Sequence, residues 1–300
     1  MVGDGRRPSH SLCPPQDHDE RGAGNTRHAA QYSIHFEQQL GSSDRAGPTA
    51  TGDSIMSGYQ CVSSPLYVGN REPVPIKIEE ITHEAGAAIL SQGFDIDASD
   101  WPDGYAISNE IVTLSTHQGT HIDAPLHYGP HGKAIPDLDV NDFLGKAVIF
   151  TDLSDGSHMV EFDHDNYVAK LDAFQGQANA VFFITGAWRR FGDDSYFTHF
   201  KGIPADLIEL ALKRGYHLIG TDAFSVDPPF VSMSTAFEKS RDPAVLWPAH
   251  VLGRSNPYYQ IERLHNMAAF ETSDLIEYIA LPVNLNCGAA WTRAVARHIQ

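Results

Sequence analysis

The sequence predicts an α/β domain from about residue 60 to residue 300, and three observations carry that prediction. Apolar runs of strand length recur from Ile76 onward, an amphipathic helix lies between two of them, and 42% of the 300 residues are hydrophobic against 20% charged. Such a composition supports a packed core and excludes a wholly disordered chain or a coiled-coil rod.

Taken in order, residues 1–30 mix Gly, Arg, Asp, Ser, Pro and His without hydrophobic period and read as a disordered N-terminal tail. Tyr32-Ser33-Ile34-His35-Phe36 alternates like a first strand joining the sheet, and residues 41–58 read as a flexible loop or linker, so the folded domain spans 31–300. Ile76 to Ile78, Ile111 to Ser115, Ala147 to Phe150 and Ala180 to Ile184 read as further strands. Pro204-Ala205-Asp206 opens an amphipathic helix carrying Leu207, Ile208, Leu210 and Ala211, which Gly215 can close. Tyr216 to Asp222 follows as a strand, so residues 180–222 form a β-α-β unit with a parallel pair. Ile279 to Val283 and Trp291 to Val295 supply late strands, with Pro282 marking an edge or bulge.

Twenty-one Lys and Arg against 38 Asp and Glu give a formal charge of −17, which speaks against nucleic acid and anionic membranes as partners. No run approaches the roughly 18 apolar residues of a membrane span, and Arg6-Arg7 is followed by polar residues instead of an apolar signal core. Cys13, Cys61 and Cys287 are odd in number and far apart, which argues against a disulfide framework and suits a reducing compartment, so the expected location is the cytoplasm. Sixteen His nearly match the 21 Lys and Arg, a ratio that prompts a search for metal or proton-transfer chemistry.

That search ends at residues 115–127, where His117, His121, Asp123 and His127 all fall on odd positions. In an extended chain they share a face while Ile122 and Leu126 point into packing. A helix would swing Asp123 away from His121, and Pro125 would interrupt it. A straight strand nevertheless separates His117 from His121 by roughly 13 Å, too far for one ion, so the chain must bend, and Gly119 midway tolerates the positive φ a bend needs. Two imidazoles and a carboxylate leave coordination positions open and suit Zn²⁺, Mn²⁺ or Fe²⁺. His-rich loops also occur without metal, and composition alone leaves both readings open.

The run His117-Gln118-Gly119-Thr120-His121-Ile122-Asp123-Ala124-Pro125-Leu126-His127 resembles the HxGTHxDxPxH signature of the metal-dependent cyclase family, which includes kynurenine formamidases and isatin hydrolase. Gly220 to Pro228 looks like that family's GxDxxSxDP segment, and Arg293-Ala294-Val295 extends the likeness. The resemblance implies a single domain with the mixed-sheet, swivelling β/β/α architecture. It also implies a divalent cofactor, Zn or Mn, as one or two ions per subunit: His117, His121 and Asp123 on one ion, and Asp123, His250 and Glu262 on a second, with Asp123 bridging. His127 carries over as proton donor and acceptor. Tyr67, within Leu66 to Asn70, stands where kynurenine formamidases have a Trp that walls the substrate ring, and Asn70 replaces Asp there. Pro73 to Asn109, with Phe94, Trp101 and Tyr105, looks longer than compact family members need and reads either as a lid or substrate-wall insertion or as a surface excursion packing its own aromatics. Asp222 and Asp227 read as partners behind the ligands or as parts of a structural turn. A homodimer or larger homo-oligomer acting on a small molecule is implied.

The function expected is hydrolysis of a non-peptide C–N bond in an amide, formamide or cyclic imide by metal-activated water, with His127 moving the proton. A metal-dependent cyclase or lyase is the rival, and a non-catalytic metal-binding protein the third reading, against which the retention of His127 counts. No GxSxG, Walker or GxGxxG signature is present for serine, nucleotide or dinucleotide chemistry.

Overall fold

The run Ala180–Ile184 takes the centre of the fold because it is apolar on both faces. Val181 and Phe183 enter one hydrophobic cluster, and Ala180, Phe182 and Ile184 enter another on the opposite side. A computed structural model describes residues 58–299. The expected tail, the strand at 32–36 and all but the last residue of the 41–58 linker lie outside the described residues.

In chain order the strands are β1 (Gln60–Cys61), β2 (Lys77–Ile81), β3 (Asn109–Thr113), β4 (His121–Asp123), β5 (Leu144–Thr151), β6 (Ala180–Ile184), β7 (Leu218–Thr221), β8 (Tyr259–Glu262), β9 (Leu275–Ile279), β10 (Ala289–Trp291) and β11 (Val295–His298). The α-helices are α1 (His83–Phe94), α2 (Pro125–Tyr128), α3 (His164–Phe174), α4 (Ala205–Leu212), α5 (Phe230–Ser240) and α6 (Pro248–Ser255). Nine strands form one mixed sheet in the order β1-β11-β9-β5-β6-β7-β8-β4-β10. Strands β5 to β8 run parallel, and the strands on either flank join antiparallel.

The β6-α4-β7 unit matches the expected crossover: α4 buries Leu207, Ile208 and Ala211 against the outer cluster, where α3 adds Tyr167 and Leu171. The inner cluster draws Ile122 and Ala290 from one end of the strand order and Val62 and Ala296 from the other, so the sheet curls around it. Ser64 N–H, just after β1, donates to Thr120 Oγ1, just before β4, at 2.9 Å where the two ends approach.

Two sequence-based assignments need correction. The expected strand 279–283 ends where it was to begin, because β9 covers Leu275–Ile279 and Pro282 makes only an isolated bridge to Thr292. The expected strand 291–295 is instead the joint between β10 and β11, which pair with β4 and β9 respectively. One apolar-looking run thus spans the point where the chain crosses from one end of the sheet to the other.

Strands β2 and β3 form a separate two-stranded sheet connected through α1. Within this arm the Trp101 indole N–H donates to Ser91 at 2.9 Å and the ring packs edge-on against Phe94. Phe94 at 65% and Ile107 at 72% nonetheless remain exposed.

Candidate metal centre

The C-terminal ends of the parallel strands in an open α/β sheet are where ligands collect, because the chain leaves the sheet there. β8 ends at Glu262, and its antiparallel neighbour β4 begins at the same end with His121. The register sets His121 directly opposite Glu262 and Ile122 opposite Ile261. Strand alternation therefore sends His121, Asp123 and Glu262 to one face, while Ile122 and Ile261 join the inner core.

The extended reading of 117–127 holds only for His121–Asp123. A tight loop precedes it, with Gly119 at φ +64°, and the bend brings the His117 and His121 ring centroids to 5.2 Å. Leu66 lies over the bend, the Gly119 amide donates to Glu72 Oε1 at 3.4 Å, and the Gln118 side chain donates to the Val74 carbonyl. After the strand, Pro125 starts α2 instead of extending the chain, since its fixed φ suits the first helical position. His127 consequently arrives from a helical turn, and Leu126 is only half-buried.

Two groups of close donor atoms result, each with all its ligand atoms within 4.8 Å of one another: His117, Asp123 and His127, and His121, Asp123 and Glu262. Asp123 belongs to both. The partition differs from the family-derived one: His127 stands with His117, and Glu262 stands with His121. His117 Nε2 is 3.3 Å from Asp123 Oδ1 and 3.1 Å from His127 Nδ1. His121 Nε2 is 3.5 Å from Asp123 Oδ1 and 3.6 Å from Glu262 Oε2. His250 belongs to neither group: it lies in α6 and not in a loop, its ring 5.2 Å from that of His127, with Nδ1 2.5 Å from Asp227 Oδ2.

These residues fit a divalent ion on two counts. His121 Nε2 and both Asp123 carboxylate oxygens are buried without a hydrogen-bond partner, a costly arrangement unless a cation completes it. The spacings of 3.3, 3.5 and 3.6 Å also match the edge of about 3.4 Å that a tetrahedron with metal–ligand bonds near 2.1 Å requires. The donor tautomer agrees. His121 Nδ1 lies 2.9 Å from the Gly119 carbonyl, which can only accept, so Nδ1 carries the proton and the neutral ring presents its lone pair on Nε2.

Electrostatics points the same way. Burial opposes charge on His121, but the Asp123 and Glu262 carboxylates together outweigh it and raise the imidazole pKa in the absence of a metal. Burial alone would raise Asp123, yet the surrounding imidazoles, His121 foremost, hold it well below the usual carboxylate range. Glu262 is pushed up by burial and then by Asp123. His117 is depressed to about 4, chiefly by burial, and so is neutral and able to donate a lone pair near neutrality. Two buried carboxylates that each favour a neighbouring positive charge make a cation trap.

Tyr67 sits outside both groups on a turn in which the Asn70 N–H donates to the Tyr67 carbonyl at 3.3 Å, with Gly69 at φ +88°. Its neighbour Leu66 touches the Gly119 bend, and its own ring is 44% exposed. Several contributors escaped sequence reasoning. The Tyr128 hydroxyl donates to the Asp123 carbonyl at 3.1 Å, and Glu72 forms a buried pair with Arg263 at 2.7 Å, below the bend. No spacing links Glu72 to Arg263. Asp222 proves to be part of a turn, accepting from Thr185 and Gly186.

The family model described as "Putative cyclase" matches residues 76–228, half of the chain. The chain belongs to this family. Among cyclase-family relatives, the kynurenine formamidase of Salinibacter ruber is 37% identical over 117 residues, covering 39% of this chain and 52% of that protein. The kynurenine formamidase of Bacillus thuringiensis strain Al Hakam is 32% identical over 160 residues, covering 46% of this chain and 69% of the relative. The chain thus spans about half the length of the first of these relatives. Isatin hydrolase A from Labrenzia aggregata, solved with benzyl benzoate, superposes with a TM-score of 0.59 at 19% identity over 81% of this chain and 94% of its own. That likeness fixes the fold: a mixed α/β single domain with a curled sheet. No helix among the described residues is long and apolar enough to cross a membrane.

Proposed function

We propose that this cyclase-family protein is a metal-dependent hydrolase of a non-peptide C–N bond in a small amide, formamide or cyclic imide. The observation that carries the reading is the set of buried, unpartnered donors, His121 Nε2 with Asp123 Oδ1 and Oδ2, facing Glu262. The kynurenine formamidase and isatin hydrolase relatives supply the bond class and favour hydrolysis over the cyclase or lyase alternative.

His117, His121, Asp123 and Glu262 would hold Zn²⁺ or Mn²⁺, as one or two ions, with Asp123 shared, and His250, outside both close groups but with its ring beside that of His127, would complete the set. A bound divalent ion supplies a Lewis acid and ionises water near neutral pH. His127 is the acid–base group in this reading. It is exposed and its ring stands beside those of His117 and His250, so it can take a proton from attacking water and return it to the leaving nitrogen. Tyr67, exposed above the Gly119 bend through its neighbour Leu66, offers an aromatic wall for a planar substrate. One catalytic domain covering 31–300, a cytoplasmic location and a homodimer complete the proposal. The exposed apolar residues of the β2-α1-β3 arm support the dimer, since a lone two-stranded sheet is marginal in water.

The test is elemental analysis of purified protein with a hydrolysis screen of N-formyl arylamines, isatin and cyclic imides, before and after chelation. Metal-dependent turnover of a member of that set is expected. Full turnover by verified metal-free protein, or none by metal-loaded protein, refutes the reading.

A further inference from the structure

The segment after β7 holds two of the proposed ligands at once. Val226 N–H donates to Glu262 Oε1 at 2.8 Å, and the Ser225 hydroxyl donates to the same oxygen at 3.0 Å. The Asp227 N–H in turn donates to Ser225 Oγ at 3.3 Å, which orients that hydroxyl. The fully buried Asp227 carboxylate then crosses to α6, accepting from Ala249 N–H at 2.7 Å, from His250 N–H at 3.2 Å and at 2.5 Å from His250 Nδ1. One oxygen of Glu262 and one nitrogen of His250 are thereby committed to this segment.

We propose that the Ser225-Val226-Asp227 turn is a positioning device that selects which atoms of Glu262 and His250 face the cation cluster, leaving Glu262 Oε2 and His250 Nε2 as the open donors. The inference rests on the metal-centre reading above and deepens it. Glu262 Oε2 lies 3.6 Å from His121 Nε2, so the oxygen left free is the one in the donor group. A carboxylate accepts and never donates, so the neutral His250 ring carries its proton on Nδ1 and keeps a lone pair on Nε2. A carboxylate that orients an imidazole in this way fixes its tautomer and raises its basicity, and removing such a partner typically weakens metal binding by 10–100-fold. Capping α6 alone would use Asp227 but would not require the ring contact or the Ser225 bond to Glu262.

The first measurement is ¹⁵N NMR of His250 in metal-free, full-length protein at alkaline pH, where the ring is neutral. The wild type is expected in the Nδ1–H form, with Asp227→Ala releasing it toward Nε2–H. A wild-type Nε2–H ring overturns the proposal, and this reading needs no variant to fold. The second is titration of Mn²⁺ and Zn²⁺ into metal-free wild type, Ser225→Ala, Asp227→Ala, His250→Ala and the Asp227→Ala/His250→Ala double variant. Ser225→Ala and Asp227→Ala should each weaken one ion by about 10–100-fold, with Asp227→Ala adding nothing once His250 is absent. Wild-type affinity in both single variants, or an equal loss with and without His250, overturns it. The two readings fail separately: ion binding with these dependences but no C–N hydrolysis refutes the hydrolase alone, whereas hydrolysis with His250 in the Nε2–H form refutes the positioning device alone.

Discussion

Gly119 makes the bend that brings His117 to His121, and replacing it by alanine tests whether that bend holds the site together. Two costs arise. The φ of +64° lies in the left-handed region, which costs an L-residue with a Cβ about 1–2 kcal/mol. The new Cβ would also stand 2.7 Å from Leu66 Cδ2 and 3.0 Å from its Cγ. Leu66 is 39% exposed, so its side chain can turn aside for about 0.5–1.5 kcal/mol of rotamer strain. The backbone contribution is therefore the larger, and Gly119→Ala should lose about 2–3 kcal/mol in all. If the loop relaxes by unbending, the same energy appears as a metal affinity lowered by about 30–150-fold. Denaturant unfolding of the metal-free protein and metal titration measure the two. Adding Leu66→Ala should recover the clash and leave the backbone loss in place. Undiminished stability and affinity in Gly119→Ala, or complete rescue by Leu66→Ala, would refute the reasoning.

His127→Ala should keep close to normal metal content and lose turnover by about 10²–10⁴-fold; loss of the ion, read by elemental analysis, would make His127 a ligand alongside His117 and Asp123. Glu72→Ala strands Arg263 in a buried site and should cost about 3–5 kcal/mol in denaturant unfolding, and a change under 1 kcal/mol would contradict the pairing. Burial holds His117 near pH 4 in the fold against 6.5 in the unfolded chain, so the unfolded state takes up that proton first as pH falls. Its contribution to metal-free stability is complete above 6.5 and is lost between 6.5 and 4. His117→Ala should flatten that part of the stability–pH profile, and an unchanged slope would refute it.

Much of the fold was readable because its central elements obey one period each. Strand β6 is apolar at every position, and α4 opens after Pro204 with its apolar face in register, so the crossover needed no tertiary information. The late strands failed where a continuous-looking run from Trp291 to Val295 straddles the joint between two strands, because only the curl of the sheet decides where pairing changes partner. At the site, the residue types and the need for a bend at Gly119 followed from spacing alone. Parity could not show that Pro125 begins a helical turn, and so could not pair His127 with His117. The roles of Asp227 and Ser225 depend on β8 and α6 folding back against the segment after β7, which no local pattern encodes.

The register that sets His121 opposite Glu262 also fixes when the donors can meet. Residues 117–127 and 250–262 stand far apart along the chain, and β4 joins the sheet only beyond β8, antiparallel to it. Pairing β4 with β8 therefore closes a long loop, and that entropic cost is met before a bound ion could offset it. An ion held by this cluster would then act as a latch, slowing escape from the native state more than it hastens arrival there.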